Sequence, residues 1–234
     1  MSVQNTREEF EYAIRSGNYH RKAGTVIYLK QEKKAFEAVK RSVDAVLSLI
    51  ALILLLPLFG VLALLIKLED PKGTVFFKQS RVGKDGKLFP IFKFRSMVSN
   101  AEELKKQLME QNEASGAMFK MKHDPRVTKV GRLLRKTSLD EMPQLWNVLS
   151  GHMSLVGPRP PLPDEVAEYT AYEKRRLSVT PGCTGLWQVS GRSSIGFKEM
   201  VELDLAYIRE RTLWMDIKIM ARTVLMLVGS KDAY

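Results

Sequence analysis

The sequence predicts an α+β fold: a compact, mostly helical domain with a short β-hairpin, attached to an N-terminal apolar helix that a proline breaks into a re-entrant membrane element. Three observations carry that prediction. Residues 45–66 form a run of 22 positions without a charge, interrupted by Pro57. The segment "GTVFFKQSRVGKDGKLFPIFKFRSM" holds two β-rich runs around Lys84-Asp85-Gly86, a hairpin signal. The apolar spacing of the remaining segments is largely helical.

With 234 residues and 45% hydrophobic content, the chain can bury an ordinary globular core. Its net charge of +11 and isoelectric point near 9.7 favour an anionic partner. Nucleic acid, anionic lipid headgroups and phosphorylated small molecules all qualify. The single cysteine, Cys183, excludes an internal disulfide and suits a reducing cytoplasm. His20, His123 and His152 are scattered without zinc-ligand spacing, so no structural zinc is expected. Neither a cleavable secretory signal nor an internal repeat is expected.

Residues 1–36 read as a polar extension, 37–67 as the membrane helix and 68–234 as the main domain. In the extension, "TREEFEYAIRSGNYH" fits a short helix or a loosely held surface segment. From Gln31, "QEKKAFEAVKRSVDAVLSLI" reads as one helix running into the apolar stretch, which is long enough to cross about 30 Å of hydrocarbon. Two features oppose a plain crossing. Pro57 lacks an N–H and clashes with the preceding turn. Positive charge also lies on both flanks: Lys33, Lys34, Lys40 and Arg41 before the run, Lys67, Lys72, Lys78 and Arg81 after it. Both flanks therefore ask for the cytoplasmic side. A helix that enters, breaks at Pro57 and returns to the same face satisfies both constraints. It is preferred to a kinked span, and both to the buried helix of a soluble core.

Beyond the hairpin, "SNAEELKKQLMEQNEAS" is helical by propensity. Two more helices are expected at about 194–211 and 213–229. The last is apolar on most sides, apart from Asp216, Lys218 and Arg222. Core packing and residence in the membrane interface fit it equally.

The stretch "RKTSLDEMPQLWNVLSGHMSLVGPRP" places Asp140 and Glu141 side by side before Pro143. Proline is tolerated in a helix only in the first turn, so the helix carrying "MPQLWNVL" should begin between Ser138 and Glu141. The plain reading makes the acids complements of the helix dipole, with Ser138 and Glu141 as a capping box. The sharper reading rests on the surrounding cations. Arg132, Arg135 and Lys136 lie upstream and Arg159 lies downstream in Gly157-Pro158-Arg159-Pro160. Such a grouping suits a di- or triphosphate. Neighbouring helical residues diverge by about 100°, which is poor geometry for the opposed carboxyls of a glycosidase. It suits one carboxylate facing a phosphorus while the other holds a metal ion. The rival from another class is a non-catalytic basic protein on membrane or nucleic acid. Without a DNA-reading motif or an aromatic stacking platform, nucleic acid is not an expected partner.

Five ordered motifs, "KRSVD", "VFFKQSRVG", "FKFRSM", "DPRVTKVGRLLRKTSLDEMPQLWNVLSGHMSLVGPRP" and "PGCTGLWQVSGR", carry a family resemblance from about residue 40 to the C-terminus. The chain resembles the monotopic polyprenyl-phosphate phosphoglycosyl transferases, the bacterial sugar transferases. The resemblance implies a re-entrant helix among anionic lipids on the cytoplasmic face of the bacterial inner membrane. Residues 68–234 would be the catalytic domain with interfacial helices.

The resemblance further implies Mg²⁺-dependent transfer of a sugar 1-phosphate from a UDP-sugar to polyprenyl (undecaprenyl) phosphate, giving polyprenyl-diphosphate-sugar and UMP. This would be the first membrane step of exopolysaccharide, capsule or O-antigen assembly. By the motif match Asp140 is the nucleophile, forming an aspartyl phosphosugar, and Glu141 is the Mg²⁺ ligand. Arg135 and Arg159 would grip phosphates, and Arg95, Arg132 and Arg192 are assigned with them. Lys40, Arg41 and Asp44 would anchor the start of the helix at the headgroups, with the break at Pro57. Leu56 stands where the family often has a serine before that proline. The sugar and the oligomeric state are left open.

Overall fold

The apolar run lies within one helix, α1 (Lys34–Glu69), whose helical conformation continues through Pro57. The computed structural model describes residues 34–101, 103–104, 121, 124–191 and 195–229. The expectations for residues 1–33, for most of the 99–115 helix and for Arg192 lie outside these described residues.

Among the described residues, α1 is the one helix long and apolar enough to cross a membrane. Only 11% of its most apolar stretch is buried, whereas a soluble core helix would hide most of it. Its buried positions are Lys40, Asp44 and Ser48, then Leu62 and Ile66. Four-residue spacing within each group puts each on a single helical face. Between the groups, Val46, Leu49, Ile53, Leu54 and Leu56 are exposed.

The hairpin forms as expected from β1 (Phe76–Val82) and β2 (Leu88–Phe94). They pair antiparallel with Phe77 opposite Lys93, Gln79 opposite Ile91 and Arg81 opposite Phe89. Asp85 and Gly86 turn the chain with φ of 58° and 78°, the left-handed pair that Asp-Gly favours. Side chains alternate between the two faces of the hairpin. Phe89 and Ile91 on one face pack with Val148 and Met153. Phe94 on the other packs with Leu62, Ile66 and Leu134, its ring edge-on to Phe59 at 5.0 Å.

Next come α2 (Lys129–Lys136), a 3-10 turn (Leu139–Glu141) and α3 (Gln144–Leu149). A parallel pair, β3 (Ser154–Val156) and β4 (Gly182–Thr184), brackets α4 (Pro163–Ala167) and a 3-10 segment, Glu173–Ser178. The chain then forms α5 (Leu186–Ser190), α6 (Phe197–Glu210) and α7 (Leu213–Gly229). The last two match the sequence expectation closely. Helix α7 divides its faces: Asp216 and Ile219 are buried, while Trp214, Ile217, Val224 and Leu225 are exposed.

Both ends of α1 are tied to this domain. At its end, the Glu69 carboxylate accepts from Lys129 N at 2.6 Å and Val130 N at 2.9 Å, satisfying free N–H groups at the start of α2. At its start the expected headgroup anchors need correction, because Lys40 and Asp44 turn inward. Lys40 Nζ donates to Asp216 on α7 at 2.6 Å and lies 3.6 Å from Asp44. Asp44 accepts from Ser154 Oγ at 2.6 Å and Leu155 N at 3.3 Å. Arg41 donates to Val148 O at 2.5 Å and Leu149 O at 2.6 Å, carbonyls in the last turn of α3, where the intrahelical i+4 donors run out. One turn apart on the inward stripe, Lys40 and Asp44 find better partners in protein than in headgroups.

Candidate active site

The acid pair is positioned from three sides. Helix α2 begins at Thr128, whose Oγ1 accepts from Gly131 N at 2.8 Å. Gly131 lies so close to the segment after β2 that a Cβ there would sit 2.0 Å from the Ser96 carbonyl oxygen. This approach lets Arg135, one turn on, donate through Nε to Ser96 Oγ at 2.9 Å. From the other side, fully buried Asn147 on α3 accepts from Phe92 N at 3.0 Å and donates to Pro90 O at 2.7 Å. Its amide thus clips α3 to the free edge of β2. Between the helices, Ser138 takes the left-handed conformation, φ 55°, an uncommon and mildly strained state for serine.

That turn overturns the capping-box expectation. Ser138 makes no side-chain cap bond, and the Glu141 carboxylate goes elsewhere, accepting from Lys93 Nζ at 2.6 Å. Pro143 stands just before α3, with φ −62°. Asp140 is buried, 8% exposed, while the Glu141 side chain is 44% exposed. Burial first and the adjacent Glu141 carboxylate second push the Asp140 carboxyl up to about 6, against the pull of Lys93 and Arg135. For Glu141, desolvation works upward. The Lys93 ammonium, with Arg159 and Arg81 behind it, outweighs this and holds the carboxyl below its ordinary value. Two adjacent acids thus acquire opposite tendencies.

The expected cations are distributed unequally. Arg135 acts on Asp140, and Arg159 acts on Glu141. Arg132 is exposed and its guanidinium leans back to Val127 O at 3.4 Å. Arg95 is buried and committed to Asp70, with Nη1 to Oδ2 at 3.0 Å and Nη2 to the carbonyl at 2.7 Å. It fastens the chain leaving α1 and is not turned to the acid pair. Two cations that motif reasoning did not single out join the site instead. Lys93 continues the face of β2 that Phe89 and Ile91 bury, and Arg81 lies on that same face opposite Phe89. For Lys93 the signal was readable, a basic residue in line with Phe89 and Ile91 on one face of β2.

Among the described residues, no group of three His, Cys, Asp or Glu side chains could hold a metal ion. A Mg²⁺ ion needs no such cage, since one or two carboxylates suffice when water and phosphate complete its shell. Glu141, ionised and half-exposed beside Asp140, fits that requirement. The arrangement offers one desolvated carboxylate, one charged carboxylate and a surrounding arc of cations, a set suited to a phosphorus centre.

The family model described as "Bacterial sugar transferase" matches residues 35–230. A galactosyl transferase, CpsE, of Streptococcus agalactiae is 46% identical over 87% of this chain and 46% of that protein. An undecaprenyl-phosphate galactose phosphotransferase of Salmonella typhimurium is 44% identical over 86% of this chain and 43% of its own length. The chain thus spans a little under half of these curated relatives. The exopolysaccharide production protein ExoY of Sinorhizobium fredii is 37% identical over 92% of this chain and 98% of that protein.

Proposed function

The chain belongs to the bacterial sugar transferase family, and from that premise we propose that it transfers a sugar 1-phosphate from a UDP-sugar to polyprenyl phosphate at the cytoplasmic face of the inner membrane. The observation that carries this reading is the contrast within the acid pair: Asp140 buried and raised to about 6, Glu141 held ionised by Lys93.

In the first step an Asp140 carboxylate oxygen attacks the sugar-bearing phosphorus of the UDP-sugar. The bond from that phosphorus to the bridging oxygen breaks, and UMP leaves with the electron pair. In the second step a phosphate oxygen of the polyprenyl phosphate attacks the same phosphorus, and Asp140 departs as a carboxylate. The product is polyprenyl-diphosphate-sugar. A carboxylate nucleophile replaces one difficult transfer by two easier ones. Arg159 and Arg135 offset the charge of the diphosphate as it approaches two acids. Mg²⁺, held by Glu141, would supply further neutralisation of phosphate charge.

The same reading places α1 as a re-entrant element. Straight, its 36 residues would extend about 54 Å. Its start is bonded to α3, β3 and α7 through Arg41, Asp44 and Lys40, and its end to α2 through Glu69. Attachment of both ends to one domain supports a return to the same side of the membrane, as do the basic flanks. The exposed face of α7, with Lys218 Nζ 5.4 Å from the centre of the Trp214 ring, suits the headgroup level.

The test is a panel of UDP-sugars with undecaprenyl phosphate and Mg²⁺ in detergent, following UMP. The expected outcome is UMP release that depends on one or a few donors and on Mg²⁺. Release of free sugar without UMP would make the protein a hydrolase.

A further inference from the structure

Four consecutive carbonyls around Arg159 are each held by a donor from another part of the chain. Gly182 N donates to Pro158 O at 2.9 Å and Val82 N to Pro161 O at 2.9 Å. Arg176 Nη2 reaches Arg159 O at 3.5 Å, and Arg81 Nη1 reaches Pro160 O at 3.1 Å. Prolines at 158, 160 and 161 already restrict φ. The backbone of Arg159 is therefore fixed on every side. Its side chain is exposed and has no hydrogen-bond partner among the described residues.

The two side-chain donors of this cradle are themselves buried and oriented. Arg81 is 7% exposed, and its Nη2 donates to Gln79 Oε1 at 2.7 Å. Arg176 is 3% exposed, held by Asp204 Oδ2 at 2.8 Å and Tyr169 OH at 2.8 Å. Neither is placed for greatest stability. Among the described residues, Arg81 Nε and Asp204 Oδ1 are buried without a partner, which costs free energy in any fold. Burial, followed by the proximity of Arg159, also pushes the Arg81 guanidinium down to about 10. Cations brought together at such cost are characteristic of sites that must be held in one geometry.

We propose that Arg81 and Arg176 are positioning residues of the transfer reaction: they lock residues 157–161 so that Arg159 meets the substrate phosphate without reorganising. The proposal rests on the reading of Arg159 as a phosphate-binding residue. Lysine keeps the charge at 81 or 176 but cannot grip two acceptors as a planar fork does.

The experiment is a double-mutant cycle on the full chain in detergent, with thermal unfolding of every variant. UMP release is followed with undecaprenyl phosphate and UDP-galactose, or UDP-glucose where that donor is faster. Arg81→Lys and Arg176→Lys should each lower kcat/KM roughly 10- to 100-fold, as misplacement of a reacting arrangement does. In an Arg159→Ala background each should lower it by less than about 3-fold, because the group being positioned is gone. Undiminished losses in that background would overturn the positioning role while leaving Arg159 its phosphate. Full activity of Arg159→Ala alone would remove that phosphate role, and this proposal with it. If the lysine variants fail to fold, Gln79→Leu, which removes the amide whose oxygen orients Arg81, carries the same cycle. Failure of all three to fold would make the cradle a stability element and end the proposal.

Discussion

Two clusters in this protein share a composition, two carboxylates and one lysine, and differ in what surrounds them. At the start of α1, Lys40 sits between Asp44 and Asp216. Every acid there has protein donors: Asp44 takes Ser154 Oγ and Leu155 N, and Asp216 takes Lys40 and, at 2.8 Å, the Tyr207 hydroxyl. At the acid pair, Lys93 goes to Glu141. Among the described residues no side chain donates to Asp140, although it is equally buried. Burial pushes up the carboxyls of both Asp216 and Asp140. In the first cluster hydrogen bonds answer that cost, so the acids serve the fold. In the second no side-chain donor among the described residues answers it, and on the proposed function that leaves the carboxylate available to a phosphorus. The environment, more than the residue types, separates structure from chemistry.

The comparison breaks most sharply under substitution of one acid from each cluster. Asp140→Asn should abolish turnover, a loss of several orders of magnitude, with substrate binding kept. Asp216→Ala should instead unfold or destabilise the protein by roughly 3 kcal/mol, since it strands Lys40 in a buried site. Turnover by UMP release and thermal unfolding in detergent, measured on both variants, read the two effects.

Stability should then change in the opposite direction for Asp140. A carboxyl whose folded value is about 6 against 3.8 ordinarily favours the folded state fully below pH about 4. That contribution is lost as pH rises through about 6. At neutral pH the ionised Asp140 is thus a burden, and Asp140→Asn should stabilise by on the order of 1–3 kcal/mol. The two proteins should unfold alike below pH about 4, diverge as pH rises to about 6 and stay apart above it. A destabilised Asn variant at pH 7.5 would return Asp140 to the role of a helix cap.

The smallest effect sharpens the account at Lys93. Its ammonium pulls the Asp140 carboxyl down, so Lys93→Met should leave that carboxyl higher. The acid limb of the pH–rate profile, set by protonation of Asp140 near pH 6, should move upward by a fraction of a unit to about one unit. An unmoved limb would mean that Lys93 serves only to hold Glu141.

Much of this was legible in the sequence where local chemistry decides it. The Asp85-Gly86 turn fixed the hairpin, and apolar spacing fixed α6 and α7. The density of arginine around the pair Asp140-Glu141 marked the candidate site proposed above. What was not legible depends on partners distant in the chain. Nothing near Lys40 announces Asp216, 176 positions away, so a basic helix start read as a headgroup anchor. Arg95 carries the same lesson, since its partner Asp70 lies across the hairpin. The Ser138–Glu141 capping box failed because Ser138 takes the left-handed conformation and Glu141 pairs with Lys93, 48 positions away. Lys93 breaks the apolar alternation of Phe89 and Ile91 on β2, whereas on β1 the polar Gln79 precedes Arg81 on the same face and gives no such clue.

The central claim is that Asp140 becomes covalently attached to the phosphosugar. Intact-mass measurement of the detergent-solubilised protein, mixed with the active UDP-sugar and Mg²⁺ and without polyprenyl phosphate, tests it directly. The account predicts a mass increase equal to one sugar phosphate with release of one UMP. The increase should be located on Asp140, discharged by added undecaprenyl phosphate and absent from Asp140→Asn. An unmodified mass in a preparation that turns over normally once polyprenyl phosphate is added would contradict it, and would leave a direct, single-step transfer in its place.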